Sequence, residues 1–147
     1  MKEKSIESLY RVKKRDVGLE RHLTLSGKSL EFFKAPGVVT VKFEFLEFTC
    51  RCPRTGQPDF AKLVIDYIPT KLCVEMKALK YYLNSFRDEG HFHEEVIYLI
   101  EKDLRGTLEP EELTVTGIFN VRGGIYPTIV VGDGELRHGL NGIKDWI

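Results

Sequence analysis

The stretch Cys52-Pro53-Arg54-Thr55-Gly56-Gln57-Pro58-Asp59 sets one thiol and one carboxyl seven positions apart on a chain punctuated by two prolines and a glycine. A free thiol has a pKa of roughly 8.5, so it attacks carbon near neutral pH only where its surroundings favour the thiolate. Arg54 is close enough in sequence to help. A rigid loop can bring Cys52 and Asp59 to one pocket, where the thiol attacks an electrophilic carbon and a protonated carboxyl serves the atom that gains charge. The plainer alternative is a small buried cysteine at a strand end and an aspartate in a turn, and spacing alone leaves both open.

Zinc is the competing chemistry, because Cys50, Cys52, His91 and His93 could in principle supply four ligands. We expect Cys50 and Cys52 to face opposite sides of a strand, and His-x-His diverges unless the chain bends, so the pattern suits a structural tetrahedron poorly. A metal site using one cysteine and one or two histidines stays open. Three cysteines are too few, and odd in number, for a disulfide framework, and Cys73 is expected to pack as an apolar residue.

The elements that must hold these groups are legible from periodicity. Residues 38–50 alternate large apolar with polar side chains, a half-buried strand, and residues 60–68 form a second, so the thiol and the acid fall on the broad loop of an antiparallel hairpin. Met76, Leu79, Leu83 and Phe86 recur at helical spacing, ending near Gly90. A second helical period runs over residues 94–104, with Gly106 where a helix would stop. Residues 113–119 and 128–131 read as two more strands around a turn at 122–127. Residues 1–30 are charge-rich without sustained period and read as an arm, with residues 31–147 as core and tail of a single domain. The order predicts an α+β domain, a four-stranded antiparallel sheet with two helices on one face.

At 147 residues and 42% hydrophobic content the chain has one domain's length and enough apolar matter for a core. Twenty-two basic and twenty-two acidic residues cancel, so no global field draws it to nucleic acid or an anionic membrane. No signal peptide or membrane helix is read, and a cytoplasmic location is expected.

Four blocks in order, Cys52-Pro-Arg-Thr-Gly-Gln-Pro-Asp59-Phe, residues 74–87 (VEMKALKYYLNSFR), Phe92-His93-Glu94 and Arg122-Gly123-Gly124-Ile125, resemble the queuosine-pathway nitrile reductases, the QueF family. The resemblance covers roughly residues 35–130. It implies NADPH-dependent reduction of the nitrile of 7-cyano-7-deazaguanine to a primary amine in two hydride transfers. It also implies the tunnelling fold (T-fold), whose subunits join into an oligomeric barrel, here a homo-oligomer of stacked pentamers with sites between subunits.

By position, Cys52 would form a covalent thioimide and Asp59 would donate the proton. Glu94 and His93 would bind the base, and Val74, Glu75 and Met76 would line the substrate's other side. Lys77, Lys80, Arg122 and Gly123 would meet the cofactor. The bare reading of Glu94 is a carboxylate at a helix start, and that of the lysines a solvated helix face. No Gly-x-Gly-x-x-Gly opens a helix, so dinucleotide binding would not be of the Rossmann kind. Met76 departs from the family's usual Ser or Leu, and Val96 stands where some relatives carry a second cysteine, so no disulfide from that position to Cys52 can form. The other classes are an amidinotransferase-like relative acting on modified tRNA, a zinc-dependent pterin-forming enzyme of the same fold, and a non-catalytic ligand-binding module.

Overall fold

The computed structural model describes residues 15–134. Along the chain come β1 (Glu20–Leu23), β2 (Ser29–Lys34), β3 (Val41–Arg51), β4 (Pro58–Ile68), β5 (Leu72–Val74), α1 (Met76–Asn84), α2 (His93–Leu108), β6 (Glu112–Phe119) and β7 (Thr128–Gly132). The main sheet is antiparallel in the order β3-β4-β6-β7. Leu79 and Leu83 of α1 and Ile97 and Ile100 of α2 join Phe48, Leu63, Val115 and Phe119 of that sheet in one buried core. Full burial of each such side chain contributes about 1.5–3 kcal/mol. The α+β expectation is met.

Three details depart from expectation. Residues 20–23 and 29–34, partly within the expected arm, form a hairpin that β5 extends to a second, three-stranded sheet in the order β1-β2-β5. Its signal was the alternation of Ser29-Leu30-Glu31-Phe32, in which Leu30 and Phe32 are fully buried. The first part of the expected arm, residues 1–14, lies outside the described residues. Secondly, the first strand begins at Val41, and Val38 is fully exposed. Thirdly, Gly106 lies inside α2 against Leu25. The helix ends at Leu108 instead, where Glu109 turns left-handed (φ 45°) and its N–H reaches the Arg105 carbonyl.

The β3–β4 pairing contains a shift on which the site depends. Phe45 pairs with Leu63 and Phe48 with Ala61, so Leu46 and Glu47 together oppose Lys62. This is a β-bulge, one extra residue that reverses the facing of everything beyond it. Phe43 and Phe45 before the bulge, and Phe48 and Cys50 after it, therefore all turn toward the helices.

Local chemistry fixes the helix starts. Glu75 sits in extended backbone before α1 and accepts hydrogen bonds from the N–H groups of Lys77 (3.0 Å) and Ala78 (2.7 Å). Glu95 accepts one from the Phe92 N–H at 3.1 Å, and Glu94 and Glu95 place negative charge at the positive end of the α2 dipole. The second sheet is tied to the core by two buried polar contacts. The Val74 N–H donates to the Tyr67 hydroxyl at 3.0 Å, and Asp103 of α2 accepts from the Ser26 N–H (3.0 Å), the Ser26 hydroxyl and the Tyr82 hydroxyl (2.6 Å).

Removing the Tyr82 hydroxyl takes one donor from a fully buried carboxylate. Tyr82→Phe is expected to lower unfolding free energy in urea by about 1–3 kcal/mol without changing the fold by circular dichroism.

Candidate active site

Strand pairing brings the thiol loop and the acid together. Cys50 is the direct partner of Asp59, and Arg51 of Pro58, so Cys52 begins the loop one residue beyond the last pair. The loop closes on itself: the Cys52 N–H donates to the Gln57 carbonyl at 2.8 Å, and the Gly56 N–H returns to the Cys52 carbonyl at 2.9 Å. Gly56 has φ 71°, a left-handed conformation that a side chain would resist. The Gln57 N–H also reaches the Thr55 hydroxyl at 3.2 Å.

The two thiols differ in their surroundings. Cys52 is partly exposed, and its pKa is lowered from the ordinary thiol value, chiefly by the Thr55 hydroxyl and then by the N–H groups of Thr55 and Arg54, all of which favour the thiolate. Cys50 is fully buried in the core, and burial, with the Asp59 charge, pushes its pKa up to about 12. Of the two thiols, Cys52 is therefore the one whose surroundings favour the thiolate, and Cys50 the one held as a buried thiol. The expectation that these thiols face opposite sides is corrected. Residues two apart share a strand face, and both cysteines lie within electrostatic reach of Asp59.

Asp59 is 4% exposed and lies between two basic groups. His93 Nε2 stands 3.3 Å from Oδ2, and Arg122 Nη2 stands 2.7 Å from Oδ1. The same arginine nitrogen donates to the Pro58 carbonyl at 3.0 Å. The His93 ring is held flat on Phe119, with centroids 3.8 Å apart and planes 11° from parallel. Arg122 is presented by a two-residue turn in which Arg122 and Ile125 exchange both backbone hydrogen bonds (2.9 Å each). Gly123 and Gly124 take φ 54° and 80°, as a type I′ turn demands. Arg122, read from sequence as a cofactor contact, thus stands beside the acid.

Glu94 is exposed in the first turn of α2, at the rim of an open groove of about 490 Å³ lined by His91, Glu94, Glu95, Tyr98 and Leu99. The remaining predicted residues lie elsewhere. Val74 is buried, and its N–H is bonded to Tyr67, eight residues beyond Asp59 on β4 and so about 26 Å along the strand. Glu75 caps α1, and Met76, Lys77 and Lys80 are exposed in its first turns, around an apolar cavity of about 340 Å³ floored by Phe43, Phe45, Leu79 and Leu83. Two ammonium groups over an apolar floor suit in kind a ligand with phosphates and an aromatic base. Within one chain this end does not meet Cys52.

His91 Nε2 is engaged by Glu89 at 2.9 Å and His93 by Asp59. Among the described residues no three His, Cys, Asp or Glu side chains lie where they could share a metal ion. Nor, among those residues, is any helix long and apolar enough to cross a membrane. Thr55 and Phe119 were not singled out from sequence. A hydroxyl three residues after a cysteine in a Pro-Gly turn is a readable signal, whereas the Phe119 stack is a long-range contact with none.

Residues 58–138 match the family model described as "QueF-like protein", a span that includes Asp59, His93, Glu94 and Arg122 and begins after Cys52. A protein of Thiobacillus denitrificans named NADPH-dependent 7-cyano-7-deazaguanine reductase is 52% identical over 106 residues, covering 70% of this chain and 76% of that protein. One of Thioalkalivibrio sulfidiphilus with the same name is 48% identical over 122 residues, covering 81% and 88%. Among solved structures, the apo archaeosine synthase QueF-Like matches with a TM-score of 0.57 at 24% identity, over 69% of this chain and 98% of that one. That similarity shows the fold, which is the expected T-fold.

The lowered pKa of Cys52 makes a directional prediction. Its alkylation by iodoacetamide, followed by peptide mass spectrometry against pH, should rise at lower pH than for an ordinary thiol. Thr55→Val, which removes the main thiolate donor, should move that rise to higher pH, while Cys50 and Cys73 stay unreacted in the native protein.

Proposed function

The chain belongs to the QueF-like family, and we propose that it reduces the nitrile of 7-cyano-7-deazaguanine to the primary amine as an NADPH-dependent oxidoreductase. The observation that carries this reading is a thiolate-favouring Cys52 just beyond the strand end at which Cys50 pairs with a buried Asp59, whose field reaches that thiol.

The thiolate of Cys52 adds to the nitrile carbon. As the C–S bond forms, one C–N π pair moves to nitrogen, which takes from Asp59 the proton that the Cys52 thiol has given up to it, and a thioimide results. Arg122 and His93, the latter fixed on Phe119, hold the carboxyl from its two sides. NADPH, when bound, would supply two hydrides to the former nitrile carbon in turn. Between them the C–S bond breaks and its electron pair returns to sulfur, so Cys52 is regenerated and each reduction takes up one proton. Glu94 accepts hydrogen bonds from the guanine-like N–H edge, a two-oxygen acceptor against a planar donor face.

Lys77 and Lys80 would hold the cofactor's phosphates, with Val74, Glu75 and Met76 beside the substrate. Val74 is bonded to Tyr67, about 26 Å along β4 from Asp59, and Lys77 and Lys80 stand over Phe43 and Phe45, whose partners Ile65 and Leu63 are about 13–20 Å from Asp59. These residues therefore serve the Cys52 of a neighbouring subunit in a homo-oligomer, taken as stacked pentamers. Among the described residues β3 and β7 are the edge strands of the main sheet, and they are the strands that would join such neighbours. Arg122 and Gly123 close the acid's side of the site.

The test is NADPH absorbance with 7-cyano-7-deazaguanine. The wild type should consume two NADPH per amine formed. Cys52→Ala should lose turnover, and Asp59→Asn should lose about 10²-fold or more in kcat. Glu94→Gln should raise KM about 10- to 100-fold, the equivalent of one charged hydrogen bond. A folded wild type that leaves NADPH unconsumed overturns the assignment.

A further inference from the structure

Residues 88–91, just before α2, grip the nucleophile's loop from outside it. The Arg51 N–H donates to the Glu89 carbonyl at 2.9 Å, and the His91 N–H to the Arg51 carbonyl at 3.0 Å. The Arg51 guanidinium then spans the loop, donating to the Gly56 carbonyl at 3.1 Å and to Asp88 at 3.2 Å. Gly90 lies flat on Pro53: a Cβ there would stand 3.3 Å from Pro53 Cα and 3.6 Å from its Cβ. The grip is itself fixed, since Glu89 is paired with both Lys28 and His91, and Lys28 rests 4.5 Å over the Phe86 ring.

Such a clamp does more than hold a loop. Two residues past His91 the same segment becomes the first turn of α2, which carries His93 and Glu94. We infer that residues 88–91 are a positioning device that sets the Cys52 loop at a fixed distance from the base-binding start of α2, with the Gly90–Pro53 contact as its gauge. This rests on the function proposed above. Gly90 touches no reacting atom and acts through Pro53, the residue next to the nucleophile. A methyl group at 90 must push Pro53 by a few tenths of an ångström, because its nearest neighbour is backbone. Moving Pro53 moves the adjacent Cys52 relative to the Thr55 hydroxyl and the two loop N–H groups that favour its thiolate, and a departure from that fit weakens them. The other titratable groups facing the thiol, Asp59 and Cys50, stay where strand pairing puts them.

The experiment compares wild type with Gly90→Ala and Asp88→Ala, the latter removing an exposed carboxylate that braces Arg51. Two quantities are read: the pH profile of Cys52 alkylation by iodoacetamide, and kcat and KM with 7-cyano-7-deazaguanine and NADPH. Gly90→Ala should move the alkylation profile to higher pH and lower kcat by about 3- to 10-fold with KM changed less than about 2-fold, as sub-ångström misplacement of a nucleophile predicts. Asp88→Ala should shift both in the same direction by less, and it decides the matter if Gly90→Ala does not fold. Wild-type profile and kcat in the folded variants, or a change confined to KM, overturn the inference. A wild type without turnover would count against the proposed function alone, since alkylation still reads the clamp.

Discussion

The antiparallel register between β3 and β4 decides where the chemistry can happen. Cys50 opposite Asp59 fixes the hairpin end, and from there the backbone has only the 52–57 loop in which to present a thiol beside the acid. The bulge at Leu46 and Glu47 is part of that constraint. Without the extra residue Thr49 would oppose Asp59, and the cysteines would turn away from the helix-covered face that carries His93. A defect in strand pairing thus supplies the facing that the site requires, as bulges beside active sites commonly do.

Electrostatics then separates groups that look alike in sequence. Cys50 and Cys52 are two residues apart, yet burial beside Asp59 suppresses ionisation of one, while hydroxyl and N–H donors promote it in the other. The acid is held between His93 and Arg122, and the stack on Phe119 and the Gly123-Gly124 turn position those two groups. The site therefore draws on three parts of the chain: the β3–β4 loop, the start of α2 and the turn after β6.

Much of this was legible beforehand. Alternation located β3, apolar runs between turn residues located β4, β6 and β7, helical spacing located α1 and α2, and the Pro and Gly content of residues 52–58 marked the loop. The second sheet was obscured by the charge of the residues before it, although Leu30 and Phe32 carried its pattern. The position of Arg122 beside Asp59 could not be read, because an arginine on a glycine turn suits a phosphate as well as a carboxylate and only tertiary structure chooses. The common facing of the two thiols was within reach of strand periodicity, whereas the bulge that sets their side of the sheet was not. That Val74 lies a strand's length from the Cys52 loop follows from the Tyr67–Val74 bond, and that Lys77 and Lys80 stand over Phe43 and Phe45 follows from the packing of α1, contacts without sequence signature.

The central claim is that Cys52 bonds covalently to the nitrile carbon, and intact-protein mass spectrometry tests it without any cofactor. Native protein incubated with 7-cyano-7-deazaguanine alone should gain the full mass of the substrate, with the added mass mapping to the peptide that carries Cys52, and Cys52→Ala should gain nothing. An adduct that persists in Cys52→Ala, or its absence from folded wild type that nonetheless consumes NADPH, would contradict the account.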